Sequence, residues 1–463
     1  MIKFLEKIVW ITFLVALLVF PIQIIEPAPF DILVGIVIII LFFLFCFSKE
    51  KRLLLKKSIN LVDTFITLFL FSNFITLAIT GAILETPSLT FFLKTFYLIL
   101  LYFLAKFLII LNPQRINKMI KFFLIGVLIT VGFIWLNYIL FNFGELKIEK
   151  MIYYSLPSLH LFLYPKTYFG IASRETGYLV WSTPYWPGVI SQWGRALGWF
   201  KDPNVLGSVL AILTIYLLSL VIFVKKSQKS WITLFVLPYL GGMIFLVDSR
   251  GTAISLISVI IIYLIFLKIK TSSEIFKKTL IALLFLIILP ITFLFNGWYK
   301  PRMFGGNPSL VQEIQKQTPI ILPRQSERKE IIKKSLEIIS QSTQNPEKLF
   351  LGHGSAKSPQ LLNIKPYQIL LTPHNTYLLI LLENGLIGLF LFLFSIYFIF
   401  FLLWKEIIKT PFEWKNQLSI FILGSILLIL FHGLVIDTLH WRHFWLILGM
   451  ASALISINNQ SKK

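Results

Sequence analysis

Acids and cysteine are scarce in this chain. Cys46 is its single cysteine, so no disulfide can close within one chain and no Cys/His metal spacing exists. Cys46 reads as a small core or lipid-facing residue. Asp and Glu number 21 against 43 Lys and Arg. No Asp-x-Asp string or compact acidic cluster marks the side read below as outward. A magnesium or manganese site wants such oxygens, so metal-independent chemistry with no cofactor is expected. No Walker A loop or Gly-x-Gly-x-x-Gly turn is present to cradle a nucleotide. No Gly-x-Ser-x-Gly elbow is present either, which argues against a serine hydrolase. Internal repeats, low-complexity tracts and a soluble terminal domain are also not evident.

Apolar runs are abundant. Hydrophobic residues make up 57% of the 463 and the mean hydropathy is +0.82, above the roughly 45–50% apolar of soluble domains. Twelve runs are long enough to cross a bilayer as helices: about 8–28, 31–48, 59–80, 90–112, 120–143, 204–224, 230–247, 251–268, 278–296, 374–404, 415–436 and 441–457. The first reads as a retained span, since no small-residue cleavage site ends it. The expected fold class is all-α: a polytopic integral membrane protein of about 12 transmembrane helices with two long periplasmic loops.

The formal charge of +22 is distributed as topology and not as a nucleic-acid patch. Lys and Arg gather in alternate short loops, for example Lys49, Lys51, Arg52, Lys56 and Lys57, then Arg115, Lys118 and Lys121, then Lys225, Lys226 and Lys229. This is the positive-inside pattern. It puts both termini in the cytoplasm and the basic loops against anionic lipid headgroups. Lys94 and Lys106 fall inside the fourth run and are expected to snorkel to opposite interfaces.

The domains follow from these spans: 1–143 with five spans, an outer loop 144–203, four spans over 204–296, a large outer loop 297–373, and three spans over 374–463. The first loop is aromatic, with Trp181, Tyr185, Trp186, Trp193 and Trp199, suiting a membrane interface or sugar stacking. The second contains an amphipathic helix over about 326–342, with Ile331, Ile332, Leu336 and Ile339 on one face. Asn345-Pro346 is expected to end that region. The helix is expected to lie along the outer interface.

Chemistry points to the outward side. His374, in Pro373-His374-Asn375-Thr376-Tyr377, opens the tenth run, and a ring there can do acid-base work. Arg195, Arg250 and Arg328 share its side. A guanidinium fork matches phosphate oxygens two at a time, so an anionic substrate such as a diphosphate fits. With no nucleotide site, the energy must come from the substrate itself. His353 reads as a turn residue. His432, His440 and His443 read as packing or interface residues.

These strings resemble the O-antigen ligase and O-antigen polymerase-related family of bacterial envelope glycosyltransferases. The likeness runs from about 190 to 455. It comprises Gly194-Arg195, Asp202-Pro203-Asn204-Val205-Leu206-Gly207, Ser249-Arg250-Gly251, Arg328 leading to Gly352-His353-Gly354, and His374-Asn375 followed by nine residues, Gly385 and then Gly388, with a late Asp437 before Trp441. The resemblance implies a GT-C-like enzyme of the bacterial inner membrane. It would move a glycan from an undecaprenyl-diphosphate carrier to a lipid A core or other glycan acceptor at the periplasmic face. In that family the positions matching Arg250, Arg328 and His374 are catalytic, and Arg195, Asn204 and Asn375 would bind substrate. The arginines would neutralise the leaving diphosphate and His374 would orient the acceptor hydroxyl or take its proton. Two alternatives stand beside the ligase: a polymerase joining lipid-linked repeat units, and a transporter or flippase for lipid-linked glycans. Transporters tend to hold their charges near the bilayer midplane, often in repeats; here the charges sit at the rim.

Overall fold

The structure is a computed structural model that describes residues 2–22, 28–143, 200, 202–223, 249–270, 325–362, 372–409 and 415–460. All regular structure among them is helical. In chain order the helices are α1 (Ile2–Val19), α2 (Pro29–Phe47), α3 (Lys49–Ser58), α4 (Leu61–Ile79), α5 (Thr86–Leu111), α6 (Arg115–Phe143), α7 (Pro203–Phe223), α8 (Arg250–Lys270), α9 (Gln325–Ser342), α10 (Pro346–Leu351), α11 (Ser358–Leu361), α12 (Thr376–Lys409), α13 (Lys415–His432) and α14 (Arg442–Gln460).

Ten of the twelve expected runs have a helix at their positions; the other two, 230–247 and 278–296, lie outside the described residues. Four described helices are long and apolar enough to cross a membrane: Pro29–Phe47, Leu61–Ile79, Thr86–Leu111 and Thr376–Ile408. This supports a membrane-embedded, all-helical protein. Exposed Phe42, Phe43, Phe71, Phe390 and Tyr397 are side chains that lipid tails would cover. Cys46, on α2, is exposed as well, which suits its lipid-facing reading.

The chain divides into two compact units. The first holds α1, α2, α6, α7 and α8. Phe20, at the end of α1, is fully buried and meets Phe30, Phe123 and Phe200 edge-on at 5.1 to 6.3 Å. Arg115 opens α6 with its guanidinium 5.0 Å from the Trp10 ring, a cation–π contact.

The second unit holds α3 to α5 and α9 to α14. Here α5 packs along α14 and α4 along α12, and Phe65 stacks on Phe398 at 5.4 Å. A buried polar cluster joins four of these helices, α3, α4, α5 and α14. Asn60 caps α4 in a reciprocal box with Asp63. Lys106 on α5 pairs with Asp63 and donates to the Ser58 carbonyl at 2.9 Å. Tyr102 donates to Asp63 Oδ1 at 2.5 Å, and Ser452 of α14 does so at 3.1 Å. This corrects the expectation for Lys106. Its ammonium does not snorkel: it is 3% exposed, because a carboxylate on the neighbouring helix offers a stronger partner than a distant headgroup. Lys94 is exposed, as a snorkelling residue would be.

The amphipathic helix is present as α9. Ile331, Ser335 and Ser342 are buried, whereas Ile332 and Leu336 are exposed. Ile331 packs with Leu362, and Ile338 packs against that pair. Its protein-packed edge is the one that meets Leu362, while exposed Ile332 and Leu336 suit a helix lying along an interface. Asn345 and Pro346 begin a helix as well as following one. Asn345 accepts from the Lys348 amide at 3.3 Å as N-cap of α10, with Pro346 in its first turn.

Candidate functional site

The candidate residues fall in both units. In the first, Asp202-Pro203-Asn204 is a helix start. Asp202 Oδ1 accepts from the Asn204 amide at 2.7 Å, and Pro203 occupies the first position, where no amide is needed. Asn204 Oδ1 then accepts from Ser249 Oγ at 2.9 Å. Ser249, buried before α8, also accepts from Thr252 Oγ1 at 2.9 Å. α7 and α8 meet closely at Gly207, where an added Cβ would lie 2.6 Å from Thr252 Oγ1. The strings Asp202–Gly207 and Ser249–Thr252 thus form one interlock, and its product is a fixed position for Arg250.

Arg250 is exposed at the first position of α8. A cation there adds to the positive end of the helix dipole, an arrangement that favours an anion. Asn204 bonds Ser249, the residue immediately before Arg250 and α8. Arg195 lies outside the described residues.

In the second unit, His374 has a left-handed backbone with φ 48° and is half-buried. Non-glycine residues enter that region at a cost of about 1–2 kcal/mol, and such strain gathers at functional sites. The turn sets Asn375 as the cap of α12. Its Oδ1 accepts from the amides of Tyr377 and Leu378, both at 3.0 Å, and its Nδ2 donates to the Leu434 carbonyl at 2.9 Å. Thr376 fixes the same crossing: its amide donates to Gly433 O at 2.8 Å, and its hydroxyl accepts from the Thr438 amide at 2.8 Å. His374 is therefore anchored to the turn before α14 by the two residues after it.

The Gly385 spacing has a backbone explanation. α12 is broken at Gly385, with φ 64° and ψ −167°, which frees carbonyls that the helix would otherwise satisfy. The loop Gly352-His353-Gly354 supplies the missing donors: His353 N to Leu382 O at 2.9 Å and Gly354 N to Glu383 O at 3.0 Å. The backbones approach so closely that a Cβ on Gly352 would lie 2.5 Å from the Glu383 carbonyl carbon. One on Gly385 would lie 2.4 Å from Phe350 O. His353 is the turn residue expected, and its Nε2 lies 3.1 Å from Ser342 Oγ. Burial, with the Lys348 charge nearby, pushes its ring below the ordinary histidine range. Arg328 sits in the opening turn of α9, where the structure describes its backbone.

Two acids stand near the break, Glu383 buried and Asp437 partly buried. Glu383 is 1% exposed and accepts from Ser358 Oγ at 2.7 Å. The sequence signal for it was an acid inside an apolar run, which in a membrane protein points to function; reasoning from arginine and histidine alone passes over it. Asp437 accepts from the Leu439 amide at 2.9 Å and lies 2.8 Å from His440 Nδ1. Burial pushes its carboxyl up, but the His440 ring, the Leu439 amide and the Lys94 charge outweigh this and hold it below the usual carboxylate range.

Residues 235–393 match the O-antigen ligase family model. The match spans Arg250, Arg328, His353, His374, Asn375 and the Gly385 break; Arg195, Asn204 and Asp437 fall outside it. It bears out the resemblance to the O-antigen ligase and polymerase-related family and supports a ligase- or polymerase-type activity. Among curated proteins, none matches the chain.

Proposed function

We propose that this protein is a ligase-type glycosyltransferase of the bacterial inner membrane, with both termini cytoplasmic and its reaction at the periplasmic face. The donor is a glycan on undecaprenyl diphosphate and the acceptor is a sugar hydroxyl of the lipid A core. One observation carries the reading most: within the matched segment, His374 is held in a strained turn whose following residues are pinned at both ends. A ring so fixed is suited to a reaction in which geometry matters.

In this mechanism His374 takes the proton of the acceptor hydroxyl as its oxygen forms a bond to the donor's anomeric carbon. The bond from that carbon to the diphosphate oxygen breaks, and the carrier diphosphate leaves with the electron pair. Arg250 and Arg328 offset its charge, and fixed guanidiniums suit that task without metal. Arg195, Asn204 and Asn375 bind substrate or hold those that do. The two long loops 144–203 and 297–373 form the periplasmic surface.

The test is transfer by the full-length protein in nanodiscs, from lipid-diphosphate-linked glycan to lipid A core, in EDTA. Glycan should pass to the core with no added metal. Lengthening of the lipid-linked glycan in place of core transfer would identify a polymerase. A requirement for magnesium or manganese would contradict the proposed chemistry.

A further inference from the structure

The turn between α13 and α14 carries a pair that the mechanism above does not use. His440 Nδ1 lies 2.8 Å from Asp437 Oδ2. A carboxylate can only accept, so Nδ1 carries the proton, and in the neutral ring Nε2 is left as the acceptor. The His440 side chain is 9% exposed, and Nε2 has no hydrogen-bond partner among the described residues. Leaving such an atom buried and unpaired is unfavourable, and a ligand hydroxyl would relieve it. Beside it stand a flat apolar ring and a cation. Phe91, half-buried, has its centroid 4.2 Å from the imidazole, and the exposed Lys94 acts on Asp437. Asp437 itself is 20% exposed.

This turn is also the one that holds His374. Leu434 O and Ile436 O accept from the side chains of Asn375 and Thr376, and the hydroxyls of Thr376 and Thr438 lie 3.1 Å apart. The pair therefore belongs to the same rigid assembly as the ring assigned to the acceptor.

We infer that Asp437 and His440 form a hydroxyl-binding subsite for the acceptor sugar, with His440 Nε2 accepting from a sugar O–H and Phe91 as its apolar wall. Asp437 is a positioning residue that fixes the imidazole tautomer. This rests on the transferase reading for the identity of the acceptor. A site built to bond a hydroxyl gains selectivity because its own buried atom is unpaired otherwise.

The experiment measures binding to the full-length protein in nanodiscs with two probes, lipid A core and lipid-diphosphate-linked glycan, without turnover. His440→Leu and Asp437→Asn should each weaken binding of lipid A core by about tenfold or more and leave donor binding unchanged. His440→Gln, whose side-chain oxygen can accept from a hydroxyl, should recover much of the loss. Should His440→Leu fail to fold, Asp437→Asn decides, since it keeps shape and alters only the partner that sets the tautomer. Unchanged affinity for lipid A core, equal weakening of both probes, or no core binding by the wild type would overturn the subsite. Binding that depends on the pair, in a protein that transfers nothing, would sink the transferase reading and leave the subsite standing.

Discussion

Two buried polar clusters in the second unit behave in opposite ways. Around Asp63, every role is filled from within: Lys106, Tyr102, Ser452 and the Asn60 amide all donate to one carboxylate. Asn60 Nδ2 bonds Ser452 and Ser456, each at 3.0 Å. Around His374 and the break in α12, buried polar atoms are left over among the described residues, among them Asn384 Oδ1, His432 Nδ1 and His440 Nε2. A closed network joins helices; an open one has capacity for something that is not protein. The contrast separates a structural lock from a candidate site by hydrogen-bond arithmetic alone.

The largest expected effect breaks the lock. Lys106→Met leaves Asp63 buried without its cation and should cost about 3–5 kcal/mol, read as a lower unfolding midpoint in detergent. Asp63→Asn with Lys106→Met should recover most of that, because neither charge is then stranded. Equal loss in single and double variants would mean that the pair is not coupled.

Next in size is the backbone interlock. Gly352→Ala forces a Cβ against the Glu383 backbone at a positive φ, and should cost about 3 kcal/mol from overpacking and strain together. Normal stability in that variant would contradict the close approach that explains the glycine spacing.

How much of this was legible in the sequence depends on distance along the chain. Hydropathy placed the helices, because each run carries its own signal. Asn375 was read as a substrate-binding residue, and its role as the cap of α12 came only from the structure. Two other features were not visible. Gly352 and Gly385 meet only after the chain folds back, so their spacing looked like a chemical motif when it is a contact between backbones. Lys106 was read as reaching for lipid because its partner, Asp63, stands 43 residues away. The aromatic loop and Arg195 lie outside the described residues and remain readings of the sequence.

Smaller effects sharpen the comparison. Arg250→Lys keeps the charge but loses the planar fork; transfer should fall about tenfold, equivalent to about 1.4 kcal/mol, with no change in unfolding. Full activity would remove Arg250 from diphosphate binding. Asn60→Ala removes the α4 cap and should cost about 1 kcal/mol while each folded molecule transfers normally. A lower rate per folded molecule would tie the lock to the reaction.

The most direct measurement is single-turnover transfer by His374→Gly, normalised to folded protein, beside its unfolding midpoint. Glycine accepts the left-handed backbone without strain, so the turn survives and only the ring is lost. The expected result is transfer reduced about 10²-fold or more, in the range of lost acid-base catalysis, with a midpoint equal to or above that of the wild type. Transfer at the wild-type rate from folded His374→Gly would contradict the account, since the open cluster would then be built around a ring that the reaction does not use.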